Sequence, residues 1–483
     1  MRFRPVAGLQ TVVGLEPPST LIGTAAPLLE NFSGGLPCPS RDRNWVIPRA
    51  GTEEGVGLTE QVSEKTVAGE TSDPAQTALG GLFWRLFAAT GCSSLGDGLV
   101  LVAFPLLAIT LTHDPLLISG VAVAARLPAF AVGLPAGALA DRVHRRRLAV
   151  TVEWARLAVL AAFSALLLLH ADRLAVLYLV VFLLGSLEEL FVAATFASLP
   201  AMVASTDLDR ANGLLSFADL TAEEVAGQGL GGVLVALGSS IPFVIDALTF
   251  AASAVLLRRA LPDLPAEPAD ASFRSDIVTG LRWFRSHPAV SLCALLVSSF
   301  AFCQSLVIAV LVLYLRVDLH LSATGYGLLL AVSAVGNVVG ALFSARIAGR
   351  IGALWSIVAA GLVASGAYVL LGLAHSVTGA GIAMALECLG ITVGNVASMS
   401  LRQRLIPAGL LGRVGTTFRM VIFAGMPVGA LLGGLLAHLS SLRVTFLTGG
   451  IAQLVFLAVL VPPLWRRMRA GPPVAIDLTG DAI

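Results

Sequence analysis

The sequence predicts an all-α membrane protein of twelve transmembrane helices arranged as two six-helix halves. Three observations carry that expectation. The 483 residues are 56% hydrophobic and only 13% charged, whereas soluble domains carry roughly 25% charged residues. From Phe83 to Leu464 the chain is a succession of apolar runs, each about 20 residues long and so able to cross a hydrocarbon layer of about 30 Å. One polar stretch, "LPDLPAEPADASFRSDIVTGLRWFRSHP", divides those runs into six and six.

Taken in order, residues 1–80 are rich in Pro, Ser, Thr, Glu and Gly without any sustained period, the composition of a disordered extension. They lack the basic start, apolar centre and small-residue cleavage site of a secretory leader. The absence of methionine between Met1 and Met202 leaves open a start further along, at a non-Met codon. The N-terminal six-helix half follows at 81–260, with spans at 82–111, 116–140, 148–170, 173–201, 211–238 and 241–260. A cytoplasmic connector at 261–288 leads to the C-terminal half at 289–465. Its spans are 289–315, 322–348, 352–374, 377–401, 411–438 and 441–464, and 466–483 form a cytoplasmic tail.

Orientation follows from the arginines, because basic residues in short loops stay on the cytoplasmic side. Loops after even-numbered spans hold Arg142, Arg145, Arg146, Arg147, Arg210, Arg258, Arg259, Arg274, Arg282, Arg285, Arg346, Arg350, Arg402 and Arg404. Loops after odd-numbered spans hold only Arg173, Arg316 and Arg443. Both termini are therefore expected in the cytoplasm, with Arg466, Arg467 and Arg469 at the tail, and the chain in the cell membrane.

An internal repeat at an offset of 203 residues supports the two halves. Gly133 and Gly137 correspond to Gly336 and Gly340, Leu139 to Leu342, Leu208 and Arg210 to Leu411 and Arg413, and Gly231 to Gly434. Parallel six-span halves with a substrate site between them near mid-membrane are one transporter organisation. Glycines four apart, at Gly133/Gly137, Gly227/Gly231, Gly336/Gly340 and Gly429/Gly433, let helix backbones approach closely. On their own such stripes indicate packing.

Several functions are excluded. Lys65 is the only lysine, so no phosphate-binding Gly-rich loop with its lysine can be built. No nucleophile elbow or zinc-ligand helix is present, so an enzyme is not expected. The net charge of +1 gives no reason to expect a nucleic-acid partner. Cys38, Cys92, Cys293, Cys303 and Cys388 lie far apart and read as inert packing residues. No metal or other cofactor is expected.

The stretch "GALADRVHRRRL", with Gly137, Leu139, Asp141, Arg142, Arg145 and Arg146, closely resembles the loop 2–3 signature of the major facilitator superfamily. From about Leu82 to Leu464 the chain resembles the branch of enterobactin and macrolide exporters, the transmembrane secretion effector family. The similarity rests on "SSLGDG", "LPAMV", "LDRANG", "GLGGVL", "FVIDALTF", "GLRWFRSHP" and "LRQRLIPAGLLGRVGTTFR". His144 replaces the signature's usual Gly, and Gln228 stands where the branch commonly has Pro. The resemblance implies the major facilitator fold and a conformational latch made by Gly137, Asp141, Arg142, Arg145 and Arg146. In the second half the position of Asp141 is taken by Ser344.

A carboxylate in hydrocarbon costs several kcal/mol unless paired or protonated, so acids within the spans are natural proton carriers. Asp97, Glu188 and Glu224 are the proton-coupling candidates, with Glu189, Asp219, Glu223 and Glu387 also inside spans. The alternative for each is a structural hydrogen bond. Glu223 and Glu224, being adjacent, cannot share one helix face. Arg126 is a candidate partner for these acids, while Glu153 and Arg156, three apart, read as a local ion pair. Gly133, Gly231, Gly340 and Gly433 are expected to pack helices. The functional expectation is a monomeric secondary transporter in contact with the lipid bilayer, exporting a small amphipathic compound in exchange for protons. An importer of the same fold and a non-transporting membrane sensor remain open.

Overall fold

The computed structural model describes residues 79–171, 173–262, 281–406 and 411–469. The expected extension, Cys38, most of the connector and the last residues of the tail lie outside the described residues. Among the described residues every regular element is helical.

The first half begins with span one, Gly81–Leu111. Span two follows as two pieces, Pro115–Ala131 and Gly133–Arg142, span three is Arg145–Leu168 and span four is Leu174–Ser198. Span five runs from Leu208 to Leu237 and span six is Ile241–Ala260. In the second half span seven is Pro288–Leu313 with a π-helical end, Tyr314–Asp318, and span eight is Ala323–Ser333 continued by Val335–Ile351. Span nine is Ala353–Leu373, span ten Val377–Leu405, span eleven Leu411–Leu439 and span twelve Leu442–Arg469.

Two elements depart from the expectation of continuous rods. Span two breaks at Val132, three residues before Pro135, whose missing N–H leaves the Ala131 carbonyl without its helical donor and whose ring crowds that turn. Span five changes from α-helix (Leu208–Asp219) to π-helix (Leu220–Gly227) and back (Gln228–Leu237). Such wide turns are frequent at functional sites, and this one carries Glu223 and Glu224. Ten other helices are long and apolar enough to cross a membrane. Large apolar side chains such as Leu168, Phe196, Leu237, Leu248 and Leu342 lie more than half exposed on the bundle's outside, as a lipid-facing surface requires.

Capping fixes helix starts at the end opposite the arginine-rich loops. The Asp114 carboxylate accepts the Leu116 N–H at 2.9 Å with Pro115 in the first turn, and Ser322 and Ser376 accept the N–H groups of Gly325 and Gly379. Each satisfies a donor that the helix itself leaves unpaired.

One apolar core runs through both halves, and each half contributes aromatic contacts to it. In the first, Phe104, Phe163 and Phe243 from spans one, three and six pack with ring centroids 5.0–6.1 Å apart. In the second, Tyr314 packs edge-on against Phe446 and donates its hydroxyl to the Ala374 carbonyl at 2.7 Å.

The halves meet mainly where the second, fifth, eighth and eleventh spans approach the end opposite the arginines. Glycine makes this closure possible. A Cβ added at Gly232 of span five would lie 2.4 Å from the Ala323 carbonyl of span eight, and one at Gly434 of span eleven would lie 1.9 Å from the Ser119 hydroxyl of span two. Beyond them the His438 ring meets Asp114 at 2.9 Å. The Leu116 N–H and, after it, His438 hold the Asp114 carboxyl below the usual carboxylate range. Towards the arginine-rich end the pattern reverses. Gly133–Arg142 and Val335–Ile351 pack substantially only on helices of their own halves among the described residues, so the central space opens at that end.

Cysteines placed at Asp114 and His438, in a chain otherwise freed of cysteine, should therefore form a bridge under a mild oxidant or a short bifunctional thiol reagent. After proteolytic cleavage between the halves, the two fragments should stay joined on a non-reducing gel. Fragments that separate would contradict the closed end.

Candidate functional site

The centre of the first half is built around Arg156. This side chain is 1% exposed, in the middle of span three, which packs on spans four and six. Its guanidinium lies 2.6 Å from Asp97 on span one, 2.6 Å from Glu188 on span four and 3.8 Å from Glu153 one turn away. It also donates to the Ser93 hydroxyl at 3.1 Å and stacks 4.1 Å above the Phe250 ring of span six. An arginine suits this place because its planar fork can serve several carboxylates at once while its face rests on an aromatic ring.

The reading of Glu153 and Arg156 as a local pair is thus corrected. Their contact exists, but it is the longest of the three, and the shorter ones tie three spans together. Glu153 is fully buried and accepts the Ser253 hydroxyl at 2.7 Å. Asp246, also fully buried, accepts the Thr249 hydroxyl at 3.0 Å, and one of its carboxyl oxygens has no hydrogen-bond partner. It presses on span one at Gly96, where a Cβ would fall 1.9 Å from its oxygen. One cation thus faces Asp97, Glu153, Glu188 and Asp246. In a buried setting uncompensated charge costs several kcal/mol, so these groups depend on one another. Asp97 and Glu188 are 26% and 37% exposed, whereas Glu153 and Asp246 are fully buried.

Span five adds a second layer. Asp219 accepts the Ser94 hydroxyl at 2.8 Å. Glu223 lies within electrostatic reach of Asp97, Glu188 and Arg126, so Arg126 faces this acid and not the Arg156 cluster. Glu224 turns the other way, towards the second half, and accepts a short hydrogen bond from the Asn337 amide of span eight. The Asn337 oxygen in turn accepts the Thr392 hydroxyl of span ten at 2.8 Å. Glu224 therefore belongs to a polar chain that crosses between the halves. Glu189 lies against Gly133 and within electrostatic reach of Arg419 on span eleven. Glu387 sits apart, paired with the Tyr368 hydroxyl at 3.3 Å.

The structure thus brings Asp97 and Glu188 together on Arg156 and sends Glu224 to the inter-half contact. Of the packing glycines, Gly133 meets Glu189, Gly231 the Leu99 carbonyl, Gly340 the Leu389 carbonyl and Gly433 the Leu306 carbonyl. A Cβ at Gly137 would meet nothing within 4 Å, so this member of the first stripe makes no close helix approach. Asp141 and Arg142 end the second piece of span two, and Arg145 and Arg146 begin span three. The side chains of Asp141 and Arg142 lie outside the described residues.

Sequence reasoning missed three parts: Arg156 as the hub, Asp246, and the Asn337–Thr392 pair. Arg156 carried a signal, since it is followed by "LAVLAAFSALLLL" and an arginine that deep in a span must find partners inside. Asp246 lies in the quoted "FVIDALTF". Asn337 and Thr392 look like ordinary polar residues until the helices are placed.

These features, a bundle of twelve spans in two halves with its charges turned inward, define a polytopic carrier. The chain matches the Major Facilitator Superfamily over residues 86–414 and 293–478, and it belongs to that family of transporters. It is 30% identical over 409 residues to an enterobactin exporter of Citrobacter koseri, covering 81% of this chain and 94% of the relative. It is 27% identical over 408 residues to the enterobactin exporter of Salmonella typhi, covering 81% and 95%. Among solved structures, a bacterial homologue of the lysosomal transporter Spinster in an inward-facing, unoccupied conformation superposes with a TM-score of 0.62 at 16% identity, covering 80% of this chain and 96% of that one. A bacterial homologue of ferroportin in an inward-facing state superposes at 0.61 and 18% identity, covering 79% and 98%. At such identities these two speak for the fold alone.

Removing the hub should be costly. Arg156→Met leaves buried carboxyls without their cation, a loss of about 3–5 kcal/mol for a buried pair, and should lower the thermal unfolding midpoint of the purified protein clearly. Asp97→Asn in the same background should recover part of the loss. An unchanged midpoint in Arg156→Met would show that the cluster is not desolvated.

Proposed function

We propose that this transporter exports a small amphipathic compound, of the size of a drug or siderophore, in exchange for protons entering the cell. In this reading it works as a monomer in the cell membrane with both termini in the cytoplasm. The observation that carries the proposal is the Arg156 cluster, where one buried cation is paired with three carboxyl groups and has a fourth, Asp246, within electrostatic reach, two of the four being partly exposed. The likeness to enterobactin exporters supports the direction and the substrate size. The arginine-rich loops support the orientation, and in that orientation the open end of the central space faces the cytoplasm.

Glu224 supplies a second coupling point in addition to the Arg156 cluster. An amide N–H bonds a carboxylate more strongly than a neutral acid, so the Asn337 contact rewards a deprotonated Glu224 while the outer end is closed. A proton arriving there from the open outer side is released as the halves close and Asn337 takes its place. Within the first half, a proton on Asp97 or Glu188 frees one side of the Arg156 guanidinium to turn to the remaining carboxylates. Spans one, three and four then gain a second discrete arrangement. A ligand shifts such an equilibrium only by its differential affinity for the two states, and the proton supplies that difference at these carboxyls.

In vesicles with an imposed pH gradient, Asp97→Asn should abolish uphill export while downhill flux persists. Uphill export at the unaltered rate in Asp97→Asn would remove this residue as the proton carrier. Reversing the gradient tests direction, since an importer of the same fold would accumulate substrate under the opposite sign.

The latch in loop 2–3 is a separate part of the proposal. Asp141→Asn removes a charge that acts on a helix end or arginine with about 0.3–1 kcal/mol if exposed and up to about 2 if partly buried. The variant should reach the membrane in normal amount yet export several-fold more slowly. Arg147→Gln should export normally, because Arg142, Arg145 and Arg146 keep the orienting charge. Equal export by the two variants would reduce the loop to a topology anchor.

A further inference from the structure

The two halves divide their charges unequally. Within the spans of the first half stand Asp97, Glu153, Glu188, Glu189, Asp219, Glu223, Glu224 and Asp246. In residues 288–469 the acids are Asp318, at the end of span seven, and Glu387, which is bonded to Tyr368. The second half nevertheless places an arginine in the wall of a cavity. That cavity, about 260 Å³, lies among spans seven, nine, ten and eleven, towards the arginine-rich end.

Its polar wall comes from Gln304 on span seven and from Asn395, Ser398 and Arg402 on span ten. The spacing of the last three, by three and then four residues, puts them on one helix face. The apolar wall includes Phe300 and Phe423. Arg402 leans its guanidinium on the Phe418 ring at 4.7 Å and reaches the Met399 sulfur at 3.3 Å. No carboxylate lies within salt-bridge distance of it among the described residues. Its Nε is buried without a hydrogen-bond partner, and so is the hydroxyl of Ser398 one turn away, a residue only 2% exposed. Its charged neighbour is a like charge, Arg419. Buried donors left open in this way cost free energy that a ligand accepting from them returns.

We propose that this cavity is the subsite for an acidic group of the transported compound, and that it selects amphipaths bearing a carboxylate or a comparably acidic oxygen on an aromatic or apolar body. This rests on the reading of the chain as an exporter and adds the substrate class. Arg402 holds the anion, Ser398 donates a second bond, and Phe300 and Phe423 cover the apolar body. The division of charge then has a purpose, because a substrate anion drawn to the second half and protons held in the first do not compete for the same side chains.

The test is equilibrium binding to the full chain in discs of zwitterionic lipid, read by fluorescence anisotropy of two matched probes, dansylglycine and its neutral amide. The carboxylate should bind about tenfold more tightly than the amide, the effect of one charge-assisted hydrogen bond. Arg402→Gln should erase the preference by weakening only the carboxylate, Arg402→Lys should keep part of it, and Ser398→Ala should reduce it a few-fold. Monodisperse elution of each variant and an unaltered amide affinity report an intact fold. A preference that survives Arg402→Gln, equal affinity for the two probes, or no binding of either overturns the proposal. So does displacement of dansylglycine by phosphatidylglycerol alone, which would make the cavity a lipid headgroup site. Transport separates this inference from the reading beneath it. Arg402-dependent binding without pH-driven flux in vesicles would sink the exporter and keep the anion site, whereas pH-driven flux of both probes without discrimination would do the reverse.

Discussion

The cost of carrying charge through hydrocarbon governs this structure. Arg156 cannot reach water from its depth in span three, and the carboxyls around it share that one buried cation. Spans one, three, four and six are consequently held in one register by a group that tolerates few other arrangements. The apolar packing of Phe104, Phe163 and Phe243 stabilises the first half as a body but would allow many small adjustments. The ionic cluster would not. Its geometry is thus the specific element, and the apolar core the general one.

The halves have the opposite character towards each other. Where they meet, they do so through glycine, serine and short polar contacts. Gly232 against span eight, Gly434 against Ser119 and Asp114 against His438 close one end beside an apolar core that both halves share. The Glu224–Asn337–Thr392 chain ties the seam to a titratable group within the bundle, as Asp114 and His438 do at the closed end. Two bodies joined by a seam with charge-sensitive ties suit a change between two discrete arrangements.

Much of this was legible in the sequence because the bilayer imposes a length on every span. The boundaries of spans one, six and nine follow within a residue from apolar run length alone, as Gly81–Leu111, Ile241–Ala260 and Ala353–Leu373 show. The repeat at 203 residues also had a physical basis, since Gly231 and Gly434 both serve close backbone approaches. The site was only half legible. An acid in a span announces itself by its cost, which is why Asp97, Glu188 and Glu224 could be singled out. What each acid pairs with depends on helix rotation and neighbour choice, which no local pattern encodes. Arg156 therefore read as the partner of Glu153, three residues away, when its stronger contacts lie 59 and 32 positions distant at Asp97 and Glu188. The break in span two and the wide turn in span five were hidden for a related reason. Each remains apolar enough to span, and only the backbone reveals the interruption.

The central claim is that the carboxyls around Arg156 hold exchangeable protons within the membrane. Infrared difference spectroscopy of the purified chain in lipid, as the medium is taken from mildly acidic to mildly alkaline, measures this directly. The account predicts a protonated-carboxyl stretch that disappears on alkalinisation and loses intensity in Asp97→Asn and in Glu188→Gln. A spectrum without that band, or one in which neither substitution diminishes it, would contradict the claim.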